Sequence, residues 1–98
     1  MNFRFNSEID IPLGTVVLQG ELIVPLNAEG IVIFSHGSGS SRYSPRNRMV
    51  AAYLHELNFG TLLFDLLTAE EDRHYQNRFD IRLLAQRLYN VTKWLEKH

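Results

Sequence analysis

Apolar and polar positions alternate over the first part of the chain, which predicts a β-hairpin. Residues 2 to 11 alternate loosely, and the sequence PLGT at 12 to 15 is typical of a turn. In the segment VVLQGELIV that follows, Gln19 and Glu21 share one face. The opposite face consists of Leu18, Gly20, Leu22 and Val24. Since Pro25 ends this alternation, we expect a half-buried strand that forms the second arm of the hairpin.

Two short runs farther along the chain are almost entirely apolar and predict buried strands. They are IVIF at 31 to 34 and TLLF at 61 to 64. A strand that is covered on both faces has no polar face, so the alternation disappears. We therefore expect these two strands to be parallel and covered on both sides.

A helix is predicted between the two apolar strands. Ser44 is a good N-cap residue, and Pro45 suits the first helical turn, where its missing N–H is not needed. Asn58 and Gly60 are typical of a helix end. The apolar stripe predicted for this helix consists of Val50, Leu54 and Leu57.

A second, longer helix is predicted after Asp80, which can cap it. Intervals of three and four residues separate the members of its apolar stripe, which are Ile81, Leu84, Leu88, Val91 and Leu95. We expect Tyr75 and Phe79 to staple the start of this helix to the sheet. The order of hairpin, strand, helix, strand and helix predicts an α/β fold, formed by one domain over residues 1–98.

Composition and charge exclude several classes of function. The net charge is −1, which gives no electrostatic reason to expect binding to nucleic acid or to an anionic membrane. The chain contains no cysteine, so disulfides and thiolate metal sites are excluded. The start of the chain lacks the apolar stretch of a signal peptide, and this predicts a cytoplasmic protein. We expect neither a cofactor nor a metal, because His55 and His74 lack the spacing of zinc ligands.

The candidate chemistry lies in the loop HGSGSS, which separates the 31–34 strand from the first helix. Gly37 and Gly39 permit the positive φ angles that turn several backbone N–H groups toward one point. Such a nest can hold a phosphate or the oxyanion of an acyl-transfer intermediate. The alternative is a tight connection with solvated serines. The loop lacks the sequence of a P-loop and of a dinucleotide fingerprint.

The chain resembles the dienelactone-hydrolase-like group of α/β-hydrolases. The resemblance rests on GIVIFSHGSGSSRYSPRNRMVA, GTLLFDLLTAEE and FDIRLLAQRL, and it extends from about Leu18 to Leu95. It implies the N-terminal half of an α/β-hydrolase-type sheet, with the hairpin, two parallel strands and two helices packed on the sheet. It also implies that Gly37 and Ser38 supply backbone N–H groups of the oxyanion hole, and that His36 and Gly39 shape the turn.

The resemblance further implies that catalytic residues are missing. In α/β-hydrolases the nucleophile lies in a G-x-S-x-G-like elbow on the next strand, and no serine of this chain stands in such an elbow. A pair of His36 with a loop serine is an alternative, but adjacent residues rarely face each other and no acid is placed to orient the imidazole. We therefore expect the 98 residues to be inactive on their own.

Charged residues close to the loop are candidates for ligand binding, together with Ser40 and Ser41. Arg42, Arg46 and Arg48 can attract an anionic substrate, or they can pair with Asp65 and the acidic loop at 70 to 72, which we favour. Asp65 follows the 61–64 strand, where ligands gather in α/β sheets. More commonly such an aspartate caps the following turn, and this is the interpretation that we favour.

Three hypotheses about function remain open. The chain can be part of an ester- or lactone-cleaving hydrolase, a non-catalytic module that binds an anion, or a structural dimer module. In the fold that the chain resembles, the 61–64 strand lies between the hairpin and the 31–34 strand, and the strand that bears the nucleophile pairs with the other side of 31–34. Without that neighbour, we expect the 31–34 strand to be an exposed edge. We expect this edge to be covered by a second copy or by a complementing chain.

Overall fold

The backbone forms one mixed sheet of four strands, in the order β1-β2-β4-β3. The computed structural model describes residues 2–34 and 42–97. The strands are β1 (Phe3–Leu13), β2 (Val16–Pro25), β3 (Ile31–Phe34) and β4 (Gly60–Phe64). The helices are α1 (Pro45–Glu56), the short α2 (Ala69–Asp72), a 3-10 helix (Tyr75–Phe79) and α3 (Ile81–Glu96). The α/β class and the predicted order of elements are confirmed.

The hairpin and the parallel pair meet in the middle of the sheet. β1 and β2 are antiparallel and joined at Gly14, whose φ of 75° explains why glycine occupies this turn. β2 is antiparallel to β4, and β3 is parallel to β4. β4 therefore lies between the hairpin and β3, as the resemblance implies, and β3 lies at the edge of the described sheet.

Helices α1 and α3 lie on opposite faces of the sheet. The main core lies on the α3 face, where Val91 packs with residues of three strands and of the loop after β4. These residues are Ile11, Leu18, Leu62, Phe64 and Leu66. On the α1 face, His55 contacts Thr61, the neighbour of Leu62 in β4. Successive residues of a strand point to opposite faces, so these two contacts place the helices on different sides.

The apolar stripe predicted for α1 is wrong. Val50 and Leu57 are about half exposed, whereas Ala51 and His55 are the buried residues of this helix. The helix turns the face of Ala51 and His55 inward, where the His55 ring bonds the Thr61 hydroxyl. The predicted ends are confirmed, since the Ser44 hydroxyl accepts a hydrogen bond from the Asn47 N–H and Asn58 has a φ of 68°.

Helix α3 follows its predicted stripe except at its first turn. The Asp80 carboxylate caps it by accepting a hydrogen bond from the Leu83 N–H at 3.1 Å. Ile81 is exposed. Tyr75 and Phe79 are also exposed and pack edge-to-face on each other, so the predicted staple to the sheet is wrong. In the described ranges no helix is long and apolar enough to span a bilayer.

Candidate functional site

The predicted oxyanion loop runs from the end of β3 to the start of α1. His36, Gly37, Ser38, Gly39, Ser40 and Ser41 all lie outside the described residues. The structure does describe the two anchors of this segment, which are Phe34 at the end of β3 and Arg42 shortly before α1. The geometry at Arg42 therefore defines where the loop ends on the sheet.

Asp65 holds the Arg42 anchor with both carboxylate oxygens. The backbone N–H of Arg42 donates to Oδ1 at 2.8 Å, and the guanidinium Nη1 donates to Oδ2. The Arg42 side chain is 13% exposed and that of Asp65 is 23% exposed. Burial alone would lower the pKa of the Arg42 guanidinium, but the hydrogen bond and the charge of Asp65 outweigh this effect and raise it. The contact is a partly buried, charge-assisted clamp on the end of the loop.

This clamp differs from the role that we favoured for Asp65. The carboxylate bonds a residue that precedes it by 23 positions, not the turn that follows it. Helix α2, which follows, is capped by Thr68, whose hydroxyl accepts a hydrogen bond from the Glu71 N–H. The backbone N–H of Asp65 donates to the Gln19 carbonyl at 3.0 Å, and this fixes the aspartate against β2.

A second layer of contacts ties Arg42 to the hairpin. Its Nη2 donates to the Tyr43 hydroxyl at 2.6 Å, and this hydroxyl donates to Glu8 Oε1 at 3.1 Å. The same Nη2 lies 3.4 Å from Glu8 Oε1. The sequence did not predict Glu8 and Tyr43 as partners of Arg42, because a contact between residues 35 positions apart leaves no local pattern.

The arginine cluster divides into different roles in the structure. Pairing of Arg42 with Asp65 is the outcome that we favoured. Arg48 pairs with Glu21 of β2 at 3.3 Å instead of with the acidic loop. Arg46 is exposed on the first turn of α1. Two of the three cations are thus neutralised by carboxylates of the chain, which reduces their availability to an anionic ligand.

The acidic segment at 70 to 72 is helical, although the sequence predicted a loop; Glu70 and Asp72 are exposed and Glu71 is partly buried. These residues form α2, and Glu71 accepts two hydrogen bonds from Arg87 of α3, at 2.8 and 2.6 Å. Arg87 also donates to the Leu66 carbonyl at 3.1 Å. The Arg87 hydrogen bond holds the pKa of Glu71 at about 2. The sequence did contain a signal, because Thr68 and Glu71 have the spacing of a capping box.

The ion pair of Arg87 and Glu71 supports the clamp on the loop. Leu66 follows Asp65 directly, so fixing the Leu66 carbonyl restricts the backbone that carries the aspartate. A chain of contacts therefore extends from α3 through Leu66 and Asp65 to Arg42. Across residues 2–34 and 42–97, no group of three or more His, Cys, Asp or Glu side chains could hold a metal ion.

The chain is similar over most of its length to a solved dienelactone hydrolase from Anabaena variabilis. The sequence identity is 50%, and the structures superpose with a TM-score of 0.88 over 96% of this chain. The chain matches the N-terminal part of that enzyme. It spans 45% of the length of the solved chain. The resemblance to dienelactone hydrolases and the predicted α/β architecture are thereby confirmed.

Two curated relatives carry a different name. Both are from Mycobacterium tuberculosis, strains CDC 1551 and H37Rv, and are provisionally named phosphoribosyl transferases. Each is 56% identical to this chain over 90 residues, which are 92% of the chain but 20% of the relative. The chain therefore spans about a fifth of their length. No protein-family model matches the chain.

Proposed function

We propose that the chain is the N-terminal part of an α/β-hydrolase that cleaves esters or lactones. The observation that carries this proposal is the match in sequence and fold to the N-terminal part of a dienelactone hydrolase. In this proposal the loop after β3 supplies the oxyanion hole through the backbone N–H groups of Gly37 and Ser38. Residues outside the 98 supply the nucleophile, the base and its orienting acid.

The described contacts support this role because they fix the end of the loop. An oxyanion hole works through donors that are held in place before the reaction, so that they need no reorganisation as charge develops. Asp65 holds the Arg42 N–H and the guanidinium at the carboxyl end of β4. Arg87 in turn fixes the backbone next to Asp65. Rigid anchors of this kind are what a preorganised loop requires.

A chimera tests the proposal. This chain replaces the matched N-terminal part of the Anabaena variabilis dienelactone hydrolase, and kcat is measured for ester and lactone substrates. Ser38→Pro removes one backbone donor, and we expect kcat to fall by about 10²- to 10³-fold. Ser38→Ala keeps the N–H and is the matched control, with kcat close to that of the parent chimera. A folded Ser38→Pro chimera with unchanged kcat would refute the proposal.

Anion binding without catalysis is the second candidate function. The name of the Mycobacterium tuberculosis relatives supports only the binding of an anion, because a phosphoribosyl ligand carries phosphate, whereas a transferase is a catalyst. The pairing of Arg42 and Arg48 with carboxylates weighs against it. Isothermal titration of the chain with inorganic phosphate separates the two candidates. Anion binding would be favoured by two results together. The wild-type chain would release or absorb heat on binding phosphate and Arg46→Ala would not, and the chimera would not turn over substrate.

A further inference from the structure

The Asp65 carboxylate bonds two different parts of Arg42. Its Oδ1 accepts a hydrogen bond from the backbone N–H of Arg42 at 2.8 Å, and its Oδ2 accepts one from the guanidinium. The first bond does not depend on the side chain at position 42, because every residue except proline has a backbone N–H. The second bond depends on it entirely. The two contacts can therefore serve different purposes, and substitutions can separate them.

The backbone around Asp65 is fixed on both sides of the residue. Asp65 directly follows β4, whose residues are all buried. Its N–H donates to the Gln19 carbonyl of β2 at 3.0 Å. The carbonyl of the next residue, Leu66, accepts a hydrogen bond from Arg87, which is itself held by two hydrogen bonds to Glu71. A side chain on such a rigid support can hold a distant segment in one position.

The Arg42 guanidinium has supports besides Asp65. Its Nη2 donates to the Tyr43 hydroxyl at 2.6 Å and lies 3.4 Å from Glu8 Oε1. The guanidinium also lies over the Tyr43 ring, 4.3 Å from its centroid. A partly buried ion pair adds little net stability compared with apolar residues of similar size, so stability alone is a weak reason for a carboxylate at position 65. The bond to the backbone N–H, by contrast, needs an acceptor, which no apolar side chain provides.

We propose that Asp65 is a positioning residue for acyl transfer, and that it acts through the backbone N–H of Arg42. This role rests on the proposed function, in which the N–H groups of Gly37 and Ser38 bind the oxyanion. Ser38 lies four positions before Arg42, so the backbone bond to Asp65 anchors the chain close to these donors. A displacement of about 1 Å in a catalytic site can lower the rate by about 10²-fold. The guanidinium neutralises the carboxylate and contributes to stability rather than to kcat.

The test compares variants of the chimera that all carry Arg42→Ala and therefore lack the guanidinium. The first has no other change, the second adds Asp65→Asn and the third adds Asp65→Ala. The amide oxygen introduced by Asp65→Asn can still accept the backbone N–H, whereas Asp65→Ala removes the acceptor. We expect the first two variants to have similar kcat values and the third a kcat at least about tenfold lower, with KM within about twofold, because oxyanion donors act in the transition state. Asp72→Ala, which removes an exposed ion pair with Arg78, is the control and should leave kcat unchanged.

Amide hydrogen exchange in the 98-residue chain measures the backbone bond without any catalysis. In the Arg42→Ala background, the amide of residue 42 should exchange at least about tenfold faster with Asp65→Ala than with Asp65→Asn. If the variant with Asp65→Ala does not fold, Asp65→Leu takes its place in both comparisons, because leucine is close to aspartate in size and has no acceptor.

Two outcomes in an active chimera would overturn the positioning role. One is a folded variant without the acceptor whose kcat equals that of the Asp65→Asn variant. The other is an equal loss of kcat in both double variants, which would assign the effect to the charge of Asp65 rather than to the backbone bond. A parent chimera that does not turn over substrate would instead refute the proposed function, and with it the catalytic role of Asp65. The amide exchange would then still show whether Asp65 holds the backbone of residue 42.

Discussion

At the scale of single residues, the Glu71 carboxylate and the Arg87 guanidinium form an ion pair with two hydrogen bonds. Arg87 is 8% exposed and satisfies both Glu71 oxygens as well as the Leu66 carbonyl. Removing one partner of such a pair leaves a partly buried charge without its counterpart, which costs more than the pair contributes. The contact joins α2 to α3, so its loss would also loosen the backbone that follows β4.

Replacing Glu71 tests this contact. We expect Glu71→Gln to lower the free energy of unfolding at pH 7 by about 2 kcal/mol, because Arg87 loses its charged partner. The folded pKa of about 2 lies below the ordinary value of 4.5. The stabilisation is therefore present above pH 4.5 and disappears as the pH falls toward 2. Urea denaturation at several pH values measures this, with the exposed Glu70→Gln as control. A constant difference between wild type and Glu71→Gln from pH 5 to 2.5 would contradict the assignment.

At the scale of elements, a buried histidine joins α1 to β4. His55 Nε2 lies 2.8 Å from the Thr61 hydroxyl, and the Phe3 ring packs edge-on against the imidazole at 5.8 Å between centroids. Burial lowers the pKa of His55, and the nearby negative charge of Glu21 offsets part of this shift. The folded protein therefore prefers the neutral ring in the contact between helix and strand.

Protonation of His55 should weaken this contact in mildly acidic solution. The pKa is lower in the folded than in the unfolded chain, so the unfolded chain binds the extra proton first. The free energy of unfolding should thus fall as the pH decreases below about 6.5, and the decrease should stop below the folded pKa. His55→Gln should remove this dependence, whereas the exposed His74→Gln should retain it. Thermal unfolding between pH 7.5 and 5 measures the effect, and an unchanged slope in His55→Gln would rule out this role.

The elements also separate what local sequence encodes from what tertiary contacts decide. Ser44, Asn58 and Asp80 form caps with their own neighbours in the chain, so the ends of α1 and α3 could be predicted. The buried face of α1 could not be predicted, because it depends on which residues of the helix contact β4. The contact of Asp65 with Arg42 and the contact of Tyr43 with Glu8 join distant segments of the chain. They could not be predicted either, because such contacts leave no periodic pattern in the sequence.

At the scale of the whole molecule, the fold places the contact between Arg42 and Asp65 at one end of the sheet. The loop between β3 and α1 ends at Arg42, which Asp65 holds at the carboxyl end of β4. In α/β sheets this end is where ligands bind. The free edge of β3 lies immediately before the same loop.

This arrangement predicts that the separate 98-residue chain does not catalyse ester hydrolysis. An acyl-transfer enzyme needs a nucleophile and a base in contact, in addition to oxyanion donors. The chain has no G-x-S-x-G elbow and no cysteine, so under the proposed function the loop supplies donors but no activated nucleophile. We therefore expect turnover of p-nitrophenyl acetate to equal that of a matched protein blank. The Ser38→Ala and Ser40→Ala variants serve as controls and should not differ from the wild-type chain. Burst kinetics that one of these substitutions abolishes would show a working serine within the loop, and the function would then reside in this chain alone.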